Sequence, residues 1–251
     1  MEKQLKLLTL KQYKLNKSLK QGYFTAGLQL SPATEASHVT GRAFKTNCPM
    51  AGACKDVCIS ATGLNILPTH ILARAKRTEL YWDNRSAFFA QLIDELDKAK
   101  TKATRQGLQF AVRLNVLSDM EALPKFVHKV RPQWTLYDYS KIKPSKWSPI
   151  KNYTRVFSYS ERATRQDIEY CIKHNINIAV PFDRLANKQE TLPKTTTLFG
   201  RKFTVLDGDK HDLLHLQKRA RSHVIGLRFK GSKAKMQTVT GTFIKLTKKG
   251  H

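Results

Sequence analysis

The chain has 251 residues, 41% hydrophobic and 25% charged, a composition that excludes intrinsic disorder and allows a substantial buried core. Its 45 Lys and Arg against 19 Asp and Glu give a formal charge of +26, spread along the sequence, so a polyanion, with nucleic acid first, is the partner to expect. No run approaches the roughly 18 apolar residues that span a bilayer, and the cationic start lacks the apolar stretch and cleavage site of a secretory signal; the expectation is a cytoplasmic protein with no membrane partner.

No Pro/Gly/Ser-rich linker divides the sequence, which reads as a single α/β domain over 1–251 with a basic N-terminal segment (1–22), a cysteine-cluster loop (31–64) and a basic C-terminal tail (231–251). In chain order, "YFTAGLQL" reads as a first strand. The stretch "NRSAFFAQLIDELDKAKTKATRQG" then places Phe88, Phe89, Leu92, Ile93 and Leu96 on one helical face, with Gly107 as a C-cap. From residue 108 onward six apolar or β-branched runs recur: "LQFAVRLNVL", "WTLYDYS", "RVFSYS", "INIAVPF", "FTVLDGD" and "HVIGLRFKG". Helix-like segments such as "TRQDIEYCIKHN" and "DKHDLLHLQKRARSH" lie between them. The rhythm is that of β-α units, and it predicts a (β/α) barrel-like fold, complete or partial, with an N-terminal Cys-rich loop region; an open doubly wound sheet is the alternative. Weak alternation around Val239, Thr242 and Ile244 reads as an edge strand in the tail.

Both architectures place functional residues beyond the C-terminal ends of strands. Arg113, Asn115 and Asp119 are the first candidates there, as catalytic residues. "LDGDKHD" offers Asp207, Asp209, His211 and Asp212 as a hard-metal or acid/base group, although a strand end followed by a capped helix explains it better. In "RPQWTLYDYSKIKPSKWSPIKNYTR", Lys141, Lys146 and Trp147 could supply phosphate contacts and a stacking platform for single strands. Trp134 reads as core.

Cys48, Cys54 and Cys58 are spaced C-x5-C-x3-C. Clustered thiols in a reducing compartment point to a metal or redox role rather than to disulfides. Three close thiolates suit a [4Fe–4S] cluster with one iron left for another ligand; zinc is the alternative, fitted less well by the five-residue spacer, and cysteines without metal are a third reading. His38 is the preferred fourth ligand, with His70 a further candidate, because Cys171 falls on the apolar face of a predicted helix beside Ile168 and Ile172.

The run "LSPATEASHVTGRAFKTNCPMAGACKDVCISATG", followed by "ARAKRTELYWDNRSAFFAQLIDEL" and "FAVRLNVLSDM", resembles the phage gene product 88 domain family. The likeness rests on a Ser-Pro-Ala element, a Cys-Pro-x-Ala cysteine cluster and an Arg-Leu-Asn-x-x-x-Asp strand end, in the same order over about residues 31–120. The resemblance implies a phage or mobile-element origin and, through its three cysteines, a metal centre. By position it singles out Ser31, Pro32, Cys48, Cys54, Cys58, Arg74, Arg77, Thr78, Arg113, Asn115 and Asp119, with Arg74 and Arg77 as phosphate contacts. The turn Thr62-Gly63-Leu64 departs from the more basic or Gly-rich turn of its relatives.

The expected function is therefore an iron–sulfur protein that binds or acts on nucleic acid. The alternatives are a Mg-dependent nuclease or replication protein, a radical S-adenosylmethionine-like enzyme, for which the usual C-x3-C-x2-C spacing is absent, and a non-enzymatic DNA- or RNA-binding protein with a structural zinc or iron–sulfur site.

Overall fold

The computed structural model describes residues 5–10, 17–216 and 221–247. Parts of the basic N-terminal segment, the end of the basic tail and the second half of the helix expected in "DKHDLLHLQKRARSH" lie outside the described residues. The fold is mixed α/β with nine mostly parallel strands among the described residues. Two compact units make it up. The first comprises Met1–Pro49, Gly63–Asp138 and Pro149–Thr154, the second Met50–Thr62, Tyr139–Ser148 and Arg155–His251.

The first unit is built on β1 (Leu8–Thr9), β2 (Tyr23–Leu28), β3 (Gln109–Arg113) and the start of β4 (Thr135–Ser140), in that spatial order. Its helices are α1 (Glu35–Thr40), α2 (Pro68–Asp83), α3 (Arg85–Arg105) and α4 (Ala122–Val130). Register and pleat divide the sheet into two chemistries. Phe24 pairs with Phe110, Ala26 with Val112, and Val112 with Leu136, so one face is apolar and packs against Phe88, Leu92, Leu96, Ala99 and Ala103 of α3. The residues between them, Thr25, Gly27, Arg113 and Tyr137, point the other way. The α3 stripe starts where the sequence predicts it, because the Asn84 side chain accepts from the Ala87 N–H at 3.0 Å. Gly107 (φ 66°) carries the chain out of the helix. Trp134 is core, 4% exposed.

The second unit contains β5 (Tyr153–Ser158, whose first two residues belong to the first unit), β6 (Ile178–Leu185), β7 (Thr195–Leu198), β8 (Arg201–Asp207) and β9 (Val224–Phe229), in the order β5-β6-β9-β8-β7. Helix α5 (Arg165–Lys173) starts at a capping box, Thr164 with Asp167, and buries Ile168 and Cys171 against Phe157, Ile178 and Val180. A second apolar cluster joins Val57 to Leu185, Phe229, Met236, Val239, Phe243 and Ile244, with Ala53 and Cys54 packed against it.

All seven predicted strands before the tail are present, and three features depart from the sequence reading. Strands β1 and β7 pair antiparallel, with β2 and β8 respectively, and barrel closure is not shown. The β7-β8 hairpin turns at Phe199 (φ 47°) and Gly200 (φ 83°), a two-residue turn with both φ positive; Phe in the first position hides it from the usual Asn-Gly or Asp-Gly signal. Where an edge strand was expected near Val239, the chain forms helix α6 (Lys233–Val239). The Ser232 side chain caps it by accepting from the Lys235 N–H, and Met236 and Val239, three apart, are its buried pair. The described part of "DKHDLLHLQKRARSH" holds only a 3-10 turn, Asp212–Leu216.

Leu92 is fully buried in the first unit, so Leu92→Ala should cost about 3 kcal/mol through lost transfer energy and a cavity. A urea midpoint unchanged within error would show that the α3 stripe does not carry this core.

Candidate functional site

In the first unit the predicted polar residues converge where β2 and β3 end. Asn47 organises the place. It is 1% exposed; its Nδ2 donates to Ser31 O at 2.8 Å and its Oδ1 accepts from Trp82 Nε1 at 3.1 Å. Its main-chain N–H donates to Ala33 O at 3.2 Å, and its carbonyl accepts from the Asp119 N–H at 2.8 Å. One asparagine thus binds the chain after β2, the loop after β3 and helix α2. Cys48, next in sequence, continues the seam. Its Sγ accepts from the Ala33 N–H at 3.3 Å and donates to Leu117 O at 3.5 Å.

Asn115 and Asp138 form the second knot. The Asn115 N–H donates to Asp138 Oδ1 at 2.8 Å, and its Nδ2 donates to Asp138 Oδ2 at 3.2 Å and to Met120 O at 3.2 Å. Asn115 Oδ1 accepts from Ser118 Oγ at 2.9 Å and from the Met120 N–H at 2.8 Å. Tyr153 OH donates to Asp138 Oδ2 at 3.1 Å. Burial pushes the Asp138 carboxyl up to about 7, against the opposing pull of Arg113 and of the Asn115 and Tyr153 donors. A carboxyl that holds its proton near neutrality can act as an acid or a base, but this one is 1% exposed and spends its oxygens on internal donors. Asn115 is likewise committed to holding the loop Leu114–Met120. Nearby, Gln29 Nε2 and Ser31 Oγ are buried without a hydrogen-bond partner among the described residues.

The two candidate arginines of α2 face inward. Arg74 is 1% exposed; it grips Glu35 through Nε and Nη2 at 2.9 and 2.8 Å and donates from Nη1 to Asn65 O at 3.0 Å. Such a bidentate pair fixes α1 against α2 and leaves no guanidinium edge for phosphate. Arg77 donates to Lys6 O at 2.7 Å and to Gln29 O at 3.4 Å, and burial pulls its guanidinium below the ordinary value. Ser31 and Thr78 do meet, the Ser31 N–H donating to Thr78 Oγ1 at 2.9 Å.

The other predicted residues lie in the second unit, except two histidines of the first: His38 sits exposed on α1, 3.4 Å from Thr34 Oγ1, and His70 is exposed on α2. Trp147 is pinned rather than open. Its Nε1 donates to Ile142 O at 3.0 Å, and the Arg155 guanidinium lies 4.5 Å from its ring centre. Lys146 is exposed, and Lys141 lies over the Phe243 ring at 5.6 Å. Asp207 and Asp209 both engage Arg228, Asp207 through two bonds of 2.8 and 3.0 Å. The salt-bridged strand end therefore describes "LDGDKHD" better than a magnesium site does.

The loop Met50–Thr62 carries Cys54 and Cys58. Glu161 holds it, its Oε1 accepting from the Ala53 N–H at 3.0 Å, and the carboxylate fills the volume that a Cβ on Gly52 would need. The cysteines Cys48, Cys54 and Cys58 are half-buried and form no disulfide among the described residues. Among the described residues no group of three or more His, Cys, Asp or Glu side chains is arranged to hold a metal ion. Cys171 is fully buried and its thiol is pushed up to about 12 by burial and by Asp167, the inert role that its apolar helix face predicts.

Sequence reasoning missed Asn47, although its place immediately before the first cysteine was a signal. Tyr153 and Glu161 are legible as a tyrosine and a strand-end carboxylate, but only the folded chain brings them to Asp138 and Ala53.

Two outcomes follow. Because Asp138 holds its proton more tightly folded than unfolded, its contribution to stability is complete below about pH 4 and is lost as pH rises to about 7, up to about 4 kcal/mol. The stability difference between the parent and Asp138→Asn, measured by urea titration at several pH values, should carry that slope; a flat difference would mean the carboxyl titrates normally. In thiol titration with an aromatic disulfide, Cys171 should react only on denaturation, and Cys48, Cys54 and Cys58 before it. Four equal rates would contradict this.

No described helix is long and apolar enough to cross a membrane. No curated protein and no solved structure matches the chain. Residues 5–241 match gene product 88, nearly the full length. The chain belongs to the gene product 88 family.

Proposed function

We propose that the protein binds nucleic acid through its lysine-rich surface, in a mode led by phosphate contacts. The observation that carries the reading is how the opposite charges are distributed. The acidic groups are largely spent inside the protein: Glu35 on Arg74, Glu79 and Asp83 on Arg42, Asp97 on Arg131, Glu169 on Arg201, and Asp207 and Asp209 on Arg228. Arginines do most of this neutralising, as their forked geometry favours. Several lysines are left over. Lys143, Lys146, Lys188, Lys202, Lys233 and Lys235 are exposed with no ion-pair partner among the described residues. A net charge of +26 together with exposed lysine ammonium groups suits sequence-independent backbone binding.

The proposal does not depend on the iron–sulfur reading. Nor does it need a catalytic step, since Asn115 and Asp138 serve each other.

Binding of labelled single-stranded and duplex oligonucleotides should weaken steeply with salt, by about 10³-fold or more between roughly 50 and 200 mM. It should vary little with sequence. Absence of binding at low salt, or affinity independent of salt, would overturn the proposal.

A further inference from the structure

The second unit has a cleft of about 670 Å³ where β6 runs out, between the turn that follows it and helix α6. That volume is in the range of ligand sites, about 300–1,000 Å³. Its walls carry Arg184, Lys188 and Lys233, and its apolar surface comes from Leu185, Met236 and Leu246. Two acidic residues also line it, and both are committed. Asp183 Oδ1 accepts from the Thr247 N–H at 2.9 Å, from Thr247 Oγ1 at 2.7 Å and from Arg184 Nη1 at 3.3 Å, while Glu190 accepts from the Leu185 N–H. Lys188, in the turn after β6, and Lys233, at the start of α6, are exposed with no ion-pair partner among the described residues.

We infer that this cleft is a seat for the nucleic-acid backbone, with Lys188 and Lys233 each neutralising a phosphate while Leu185, Met236 and the exposed Leu246 cover the sugar faces between them. The inference rests on the nucleic-acid reading above and assigns it a place. Several features support a backbone seat rather than a pocket for a free base. No aromatic residue lines the cleft to stack a base. Each of the two carboxylates already turns one oxygen to the chain itself, Asp183 Oδ1 to Thr247 and Arg184 and Glu190 Oε2 to the Leu185 N–H. What the cleft offers a ligand is positive charge at its rim and apolar contact at its floor. The apolar cluster under it, Leu185 with Phe229, Met236, Val239 and Phe243, fixes the floor by side chains rather than by loop contacts. The seat should therefore be present before any ligand arrives.

The test compares Lys188→Gln/Lys233→Gln with Lys98→Gln/Lys125→Gln. The second pair makes the same change in net charge on helices of the first unit, where both lysines already face carboxylates, Asp94 and Glu121. At about 0.1 M salt, loss of two phosphate contacts should weaken binding about 25-fold for single strands and about 60-fold for duplex, and the log–log salt slope should fall by about 1.4 and 1.8 respectively. The control pair should leave both quantities near those of the parent. Circular dichroism and urea midpoints verify that each variant folds. If the parent binds and the two variants lose affinity equally, or the cleft variant loses none, the seat is overturned while nucleic-acid binding stands. If the parent itself does not bind, the broader reading fails and takes the seat with it.

Discussion

The first unit depends on one buried asparagine that bonds through both its side chain and its main chain. A parallel sheet leaves its functional end as a set of separate loops, each with main-chain groups that the ladder no longer satisfies. At the ends of β2 and β3 those loops are joined by Asn47, which meets Ser31 and Trp82 with its side chain and Ala33 and Asp119 with its main chain. Replacing it by an apolar residue of similar size would strand a buried carbonyl and an indole N–H together, the arrangement that costs more than a missing bond between exposed groups. Cys48 extends the same seam with a thiol that serves as donor and acceptor at once.

Much of the fold is legible in the sequence because periodicity survives folding. The six β-α runs and "YFTAGLQL" emerge as strands, and Asn84 and Thr164 start the helices where capping chemistry predicts. The C-terminal region was misread for a physical reason. Val239, Thr242 and Ile244 fit an alternating pattern, but Met236 and Val239 are also three residues apart, and a short segment with one buried pair satisfies both periods. The capping residue, Ser232, was the signal that separates them.

The candidate site was legible as a list of residues and not as roles. Arg113, Asn115, Asp119 and Asp138 stand at strand ends as expected, yet Asn115 uses its side chain to hold Asp138 and Met120, and Arg74 is buried against Glu35. A polar residue at a strand end reads the same in one dimension whether it faces a ligand or another polar residue. What distinguishes the two is the partner, and Asn115's partners come from 3 to 23 positions away. The cysteine spacing was equally ambiguous. Close thiols in sequence suggest a shared ion, but Cys48 bonds Ala33 and Leu117 while Cys54 packs on an apolar cluster.

The Gly52–Glu161 contact has a consequence for how this loop can vary. Because the carboxylate occupies the space of a side chain on residue 52, the two positions act as a single unit in which backbone on one strand of the loop is completed by an atom borrowed from far along the chain. A larger residue at 52 would evict the Glu161 carboxylate, and a shorter one at 161 would leave a gap that glycine cannot fill. Change at either position is therefore conditional on change at the other, and the cysteine loop inherits that coupling although neither residue is a cysteine.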